Sequence, residues 1–300
     1  MPDFFIVGHH KSGTTALYEM LRRHPGIFMP EKKEPRFFAG DLRALIDKPA
    51  PGGRVETLEE YVALFEHAQP DQRVGEASPS YLRSETAARE IAAYQPQARI
   101  IAILREPASF VRSLHFQLMQ GHVELEKDLR RAFAAEEIVR QGKRVLRYSD
   151  HIRYVEQLRR YEDVFGREQM MTLIYDDFRA DNEATVREVL RFLEVDDAVA
   201  IEVIDANPTV DMRSRSLDRC VRAIYAQRGP VARAARTLIP SSVRRGAMRT
   251  FRQRVVLGRP RPADEEFMLE LRHRFKGEVV ALGEYLDRDL VSLWGYEGID

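Results

Sequence analysis

One segment near the amino terminus restricts the fold more than any other. Residues 4–7, Phe-Phe-Ile-Val, are a short apolar run ending at Gly8, and an amphipathic stretch opens at Thr14. Between them stands Gly8-His9-His10-Lys11-Ser12-Gly13-Thr14-Thr15. An apolar run of this length bounded by glycine reads as a buried strand. Ala16, Leu17, Met20 and Leu21 share one helical face before Pro25-Gly26 stops it, so a helix is expected over residues 14–24. Strand, glycine turn and helix in this order leave the first helical amides unpaired and aimed at the turn, where the helix dipole adds partial positive charge. Such a turn suits a phosphate-like group. The glycine spacing is that of a Walker A loop, but Thr14 stands where its lysine would be. The loop's only lysine, Lys11, comes two residues before the second glycine and meets an anion from the other side.

The same alternation continues along the chain. Residues 99–104, Arg-Ile-Ile-Ala-Ile-Leu, read as a second strand, followed at once by Arg105-Glu106-Pro107. Pro107 suits the first turn of a helix running to about Gly121. Residues 171–175 are a third strand candidate. Helices are expected over 57–67, 84–94, 124–141, 149–165, 182–193 and 263–286, and a loop over 40–54. Strands alternating with helices argue for a parallel sheet covered on both faces. After Asn207 the pattern becomes helical and basic. The expectation is one α/β domain over 1–300, with a core over about 1–207 and a helical, basic carboxy-terminal elaboration over about 208–300.

Composition narrows the function classes. The 300 residues carry 47 basic and 47 acidic side chains, which argues against a disordered chain. The single cysteine, Cys220, excludes an internal disulfide and a multi-cysteine metal centre. The eight histidines lack metal-ligand spacing, so no metal is expected. Without an apolar span of membrane length or a leader-like start, the expected location is cytoplasmic. Arg outnumbers Lys 40 to 7, which points to a bacterial source. Residues 212–262 hold 14 Arg against one acidic residue, Asp218. A block of that charge attracts an acidic carrier or a membrane surface, or else forms a solvated helical face. No nucleic-acid signature accompanies it.

Lys11-Ser12-Gly13-Thr14-Thr15 after a strand resembles the 5′-phosphosulfate loop of sulfotransferases that use 3′-phosphoadenosine 5′-phosphosulfate (PAPS). The second half of that signature is a strand ending in Arg, then Pro, then a helix carrying Ser; Arg105, Pro107 and Ser113 match it in order. The resemblance implies a P-loop-like three-layer fold, with a central parallel sheet flanked by helices. It implies that Lys11, Ser12, Gly13, Thr14 and Thr15 hold the 5′-phosphosulfate, and that Arg105 and Ser113 hold the 3′-phosphate. A guanidinium fork and a hydroxyl suit a phosphate dianion. Phe110 stands where family members often carry a second Arg. Tyr154, Arg213 and Arg215 fall in later segments that are similar to the family and are expected at the nucleotide. Adenosine 3′,5′-bisphosphate would be the product.

On the acceptor side, Lys33-Glu34-Pro35-Arg36-Phe37-Phe38 resembles the segment that supplies a catalytic Glu in sulfotransferases of heparan-type sugars. Glu34 is then the general base, and Lys11 acts on the leaving 5′-phosphate oxygen. His115 is the rival base. Gly75-Glu76-Ala77-Ser78-Pro79-Ser80-Tyr81 resembles a further family segment, with Ala77 where the carbohydrate enzymes usually have Lys; Ser78 and Tyr81 are expected to line the acceptor cleft. The activity implied is sulfuryl transfer to a hydroxyl of a sugar, lipid or secondary metabolite. The alternatives are an ATP-dependent small-molecule kinase, against which the displaced lysine argues, and a non-catalytic nucleotide- or anion-binding module.

Overall fold

The computed structural model describes residues 1–43, 54–135, 138–140, 143–204, 211–212, 257–258 and 262–299. Two compact units divide the chain: Met1–Leu114 with Asp128–Asn207 and Glu265–Asp300, and His115–Lys127 with Pro208–Asp264.

The first unit is built on β1 (Phe4–Gly8), every residue of which is buried. The chain continues through α1 (Thr14–Arg22), β2 (Ile27–Phe28), α2 (Gly40–Arg43), α3 (Leu58–Ala63), β3 (Arg73–Ala77), α4 (Ala87–Tyr94), β4 (Arg99–Leu104) and α5 (Pro107–Gln120). It goes on through α6 (Leu129–Ala134), a hairpin of β5 (Ile138–Arg140) and β6 (Lys143–Leu146), α7 (Tyr154–Phe165), β7 (Met170–Ile174), α8 (Tyr175–Ala180) and α9 (Asn182–Phe192). Two short strands of the second unit, β8 (Asp211–Met212) and β9 (Leu257–Gly258), pair antiparallel. Helices α10 (Glu265–Leu286) and α11 (Leu290–Leu293) complete the first unit.

The main sheet has five parallel strands in the order β2-β3-β1-β4-β7. The period-two rule decides how β1 is buried. Phe4 and Ile6 join Leu17, Leu21, Ile101, Ile103, Val189 and Leu190 in one core. Phe5, on the opposite face, meets Phe38 and Tyr81 at ring-centroid distances of 6.0 and 6.4 Å. Both faces are thus covered, giving the three-layer, P-loop-like α/β fold expected from the sequence.

Several elements differ from expectation. β2 and β3 had no sequence signal: β2 is two residues long, and β3 reads Arg-Val-Gly-Glu-Ala, with a carboxylate near its end. Gly75 is needed there because a Cβ would stand 2.1 Å from the Phe4 ring and 2.4 Å from the Met29 sulfur. The helix expected over 124–141 shrinks to α6, capped by the Asp128 side chain on the Arg131 amide, and the following residues form the β5–β6 hairpin. α8 follows β7 directly, so Tyr175 opens a helix and does not close the strand. Residues 44–53 of the expected 40–54 loop, and nearly all of the basic block with Arg213 and Arg215, lie outside the described residues.

Candidate active site

The sheet order fixes where a ligand can enter. From β1 the chain builds β2 and β3 on one side, then crosses to build β4 and β7 on the other. Open parallel sheets bind ligands outside the carboxyl ends of the strands where the order reverses. Here that point is the gap between β1, ending at Gly8, and β4, ending at Leu104. The loop with Lys11 follows one strand, and Arg105 follows the other.

The loop is held by backbone. The His9 amide donates to the Ile103 carbonyl at 2.6 Å, and the Leu17 amide closes the first turn of α1 on the Gly13 carbonyl at 3.1 Å. Gly13 takes φ +87°, and a Cβ there would stand 2.9 Å from the Phe178 ring. No side chain caps α1, and no acidic residue stands in its first turn. Its leading amides and dipole are therefore uncompensated, a condition that favours a bound anion.

Two half-buried cations lie within electrostatic reach of each other. Arg105 Nη1 donates to the Lys11 carbonyl at 3.1 Å, and its guanidinium carbon lies 4.8 Å from the Tyr175 ring centroid. Burial, then the Arg105 charge, lowers the Lys11 pKa; burial also lowers that of Arg105. Among the described residues neither side chain forms an ion pair. Ser12 and Thr14 are buried in the turn. Ser113 is buried on α5, two turns beyond Arg105. Tyr154 is fully buried, and its hydroxyl donates to the Arg105 carbonyl at 2.9 Å, so it braces the chain that carries the guanidinium. Glu106, next to Arg105, accepts from the amides of Ala108 and Ser109 at 2.9 and 2.6 Å and from the Tyr296 hydroxyl at 2.5 Å. That carboxylate serves the start of α5. Among the described residues no three His, Cys, Asp or Glu side chains gather as a metal site.

Glu34 stands on the other side of the loop. Its amide donates to the Ala77 carbonyl at 3.1 Å, which pins its segment to the end of β3. Arg36 Nη2 lies 2.5 Å from Glu34 Oε2, and Lys33 Nζ lies 3.3 Å from Oε1. Lys33 Nζ also donates to Thr15 Oγ1 at 3.1 Å. Burial alone would raise the Glu34 pKa, but His10, Lys33 and Arg36 outweigh it and hold the carboxyl at about 2. His10 is itself lowered by burial to about 4, so at neutral pH the two cations remain. His9 is lowered by burial to about 3 and is neutral as well, with Nε2 at 2.8 Å from Gln157 Oε1.

Ser78 and Tyr81 are buried with committed hydroxyls. Ser78 Oγ accepts from the Arg36 amide at 3.1 Å. The Tyr81 hydroxyl donates to Glu76 Oε2 at 2.8 Å and accepts from the Phe38 amide at 3.3 Å. Both steady the segment that carries Glu34. Glu76 is not among the residues the sequence marks for the site. It is fully buried, takes a second hydroxyl from Tyr61 at 3.1 Å, and is pushed up to about 7 by burial. Only its place in the Gly75–Tyr81 motif hinted at this. Lys33 was visible only as a neighbour of Glu34. His115 falls in the second unit, where Nε2 donates to the Lys127 carbonyl at 3.3 Å.

Comparison with known proteins bears on the fold and the family. The model of the sulfotransferase family matches residues 2–198. The fold is similar over 98% of both chains to a sulfotransferase from Alicyclobacillus acidocaldarius, with a TM-score of 0.68 and 26% identity. Over 121 residues the sequence is 30% identical to heparan sulfate glucosamine 3-O-sulfotransferase 5 of Mus musculus, covering 40% of this chain and 32% of that protein. Over another 121-residue match it is 31% identical to the membrane-associated sulfotransferase kil1 of Dictyostelium discoideum, covering 39% of this chain and 23% of that protein. The chain thus spans about a quarter to a third of the length of these curated relatives. With the family match running from β1 through the Glu34 segment, Arg105 and α9, the chain belongs to the sulfotransferase family.

Proposed function

We propose that the protein transfers the sulfuryl group of PAPS to a hydroxyl of a sugar, lipid or secondary metabolite. The observation that carries this is the convergence of Lys11 and Arg105 beside the uncapped start of α1. Two half-buried cations without ion-pair partners among the described residues gain from an anion between them. Lys11, Ser12, Gly13, Thr14 and Thr15 would hold the 5′-phosphosulfate, and Arg105 with Ser113 the 3′-phosphate. Tyr154 would act through Arg105. Arg213 and Arg215 enter this reading through the family resemblance alone.

PAPS when bound supplies an activated sulfuryl group, whose transfer leaves negative charge on the 5′-phosphate oxygen. The Lys11 ammonium stabilises that oxygen from a fixed, partly dehydrated position. Glu34 takes the proton of the acceptor hydroxyl, for which it must come within hydrogen-bond reach. Ser78 and Tyr81 set the position of Glu34 by holding the Arg36 and Phe38 amides. A sugar hydroxyl is the acceptor favoured by the likeness of the Glu34 segment to the heparan-type enzymes.

The test compares thermal shifts with adenosine 3′,5′-bisphosphate and with Mg²⁺–ATP. A nucleotide that binds only the folded state at 100 times its Kd adds ~2.7 kcal/mol of stability. A clear rise with the bisphosphate and little with Mg²⁺–ATP is expected. A rise with Mg²⁺–ATP alone would transfer the site to a kinase. Binding of the bisphosphate without turnover of PAPS across a broad set of hydroxyl acceptors would favour a non-catalytic module.

A further inference from the structure

Lys33 touches both halves of the site. Its ammonium donates to Thr15 Oγ1, in the first turn of α1, at 3.1 Å and to Glu34 Oε1 at 3.3 Å. It lies 5.9 Å from the Tyr18 ring centroid, and only 18% of the side chain is exposed. Arg36 holds the other oxygen of Glu34 at 2.5 Å. Both carboxylate oxygens thus face cations, and a carboxylate engaged in this way is poorly placed to accept a proton from a hydroxyl. An ammonium has three donors and a flexible stem, so it can change partners at the cost of one torsional step. The alternative partner is defined by Thr15, which lies on the anion-binding turn.

We propose that Lys33 exchanges Glu34 for the sulfonate of the donor. With donor loaded, Thr15 and Lys33 hold sulfonate oxygens together, Glu34 Oε1 is released, and the base becomes available only when there is a group to transfer. After transfer the nucleotide product has no sulfonate, and Lys33 returns to Glu34. Lys33 therefore distinguishes donor from product, and it acts on the base as a positioning residue. This inference rests on the sulfotransferase reading of the site.

Calorimetric titration without acceptor tests it, because it reads affinity and not turnover. PAPS and adenosine 3′,5′-bisphosphate are titrated into wild type, Lys33→Met, Lys33→Arg, Glu34→Gln and the Lys33→Met/Glu34→Gln double variant. A charge-assisted hydrogen bond of ordinary strength implies that Lys33→Met weakens PAPS about tenfold and changes the bisphosphate by less than about twofold. Lys33→Arg should recover part of the loss. Glu34→Gln should tighten PAPS by removing the competitor for Lys33, and that gain should shrink or vanish in the Lys33→Met background. Should Lys33→Met fail to fold, Glu34→Gln against intact Lys33 reads the same competition: PAPS tightened more than the bisphosphate supports it, and equal shifts overturn it. Parallel loss of both nucleotides in Lys33→Met, or one Glu34→Gln effect in both backgrounds, also overturns the exchange while leaving the sulfotransferase reading intact. Failure of wild type to bind either nucleotide overturns that reading itself.

Discussion

Glu34, half-buried, and Glu76, fully buried, are carboxyls of one small region with opposite fates. Around Glu34 stand His10, Lys33 and Arg36, and its pKa falls to about 2. Around Glu76 stand the hydroxyls of Tyr61 and Tyr81, and burial prevails, raising it to about 7. Hydrogen bonds from neutral donors do not repay the loss of water as cations do. A carboxyl whose pKa is higher folded than unfolded binds more protons in the folded state between the two values. Stability therefore falls as pH rises from about 4.5, the ordinary value, to about 7. Glu76→Gln, which keeps an acceptor for both tyrosines, should flatten that fall in a Tm series across this window; an unchanged slope would contradict the assignment. For the reaction, Lys11→Ala should cut turnover ~10²-fold or more, the scale of losing one fixed donor to a developing oxyanion. Glu34→Gln should impair turnover while bisphosphate affinity changes little. If Glu34→Gln stays active, the base lies elsewhere and His115 is next to be replaced.

Among the elements, α1 shows how a sequence motif becomes a site. Gly13 combines a positive φ with the Phe178 ring at its back, so Gly13→Ala is strained twice. It should lower Tm and weaken the bisphosphate together, because the same turn carries fold and ligand; a stable protein with unchanged affinity would show that the turn does not hold the nucleotide. α3 offers the contrasting case. Thr57 Oγ1 accepts from the Glu60 amide, and Glu60 reaches back to the Thr57 amide, a capping box on the exposed start of the helix. Thr57→Ala should cost ~1 kcal/mol in denaturant melts and leave turnover alone. β1, β4 and the start of α5 were legible because apolar runs and Pro107 are local signals. β3 was not: its place in the sheet comes from Phe4 and Ile6 facing Gly75 and Ala77, a pairing of residues about seventy positions apart. The hairpin after α6 was hidden for a similar reason, since a short segment rich in Arg and apolar residues satisfies helical spacing as readily as strand pairing.

Across the first unit, the carboxy-terminal elements tie back to the strands that carry the site. The Tyr296 hydroxyl donates to Glu106 and the Trp294 indole to Asp176 at 2.9 Å, next to Arg105 and Tyr175 respectively. Phe267 and Phe275 pack on Phe133, and Glu278 accepts from the Val155 amide at 2.8 Å. Tyr296→Phe removes one donor from a buried carboxylate and should cost ~1–3 kcal/mol. Because Glu106 opens α5 beside Arg105, bisphosphate affinity should fall as well; a stability loss with unchanged affinity would separate this tie from the site. The sequence by itself determined the glycine turn between β1 and α1, the cation at the end of β4 and the alternating α/β order, because each is written in residues within a few positions of one another. Tertiary structure alone decided that Lys11 and Arg105 meet at one switch point, that Lys33 bridges Thr15 and Glu34, and that Glu76 is sealed beneath two tyrosines. Those relations depend on strand order and on the balance of charge against burial between distant segments, which local spacing does not encode.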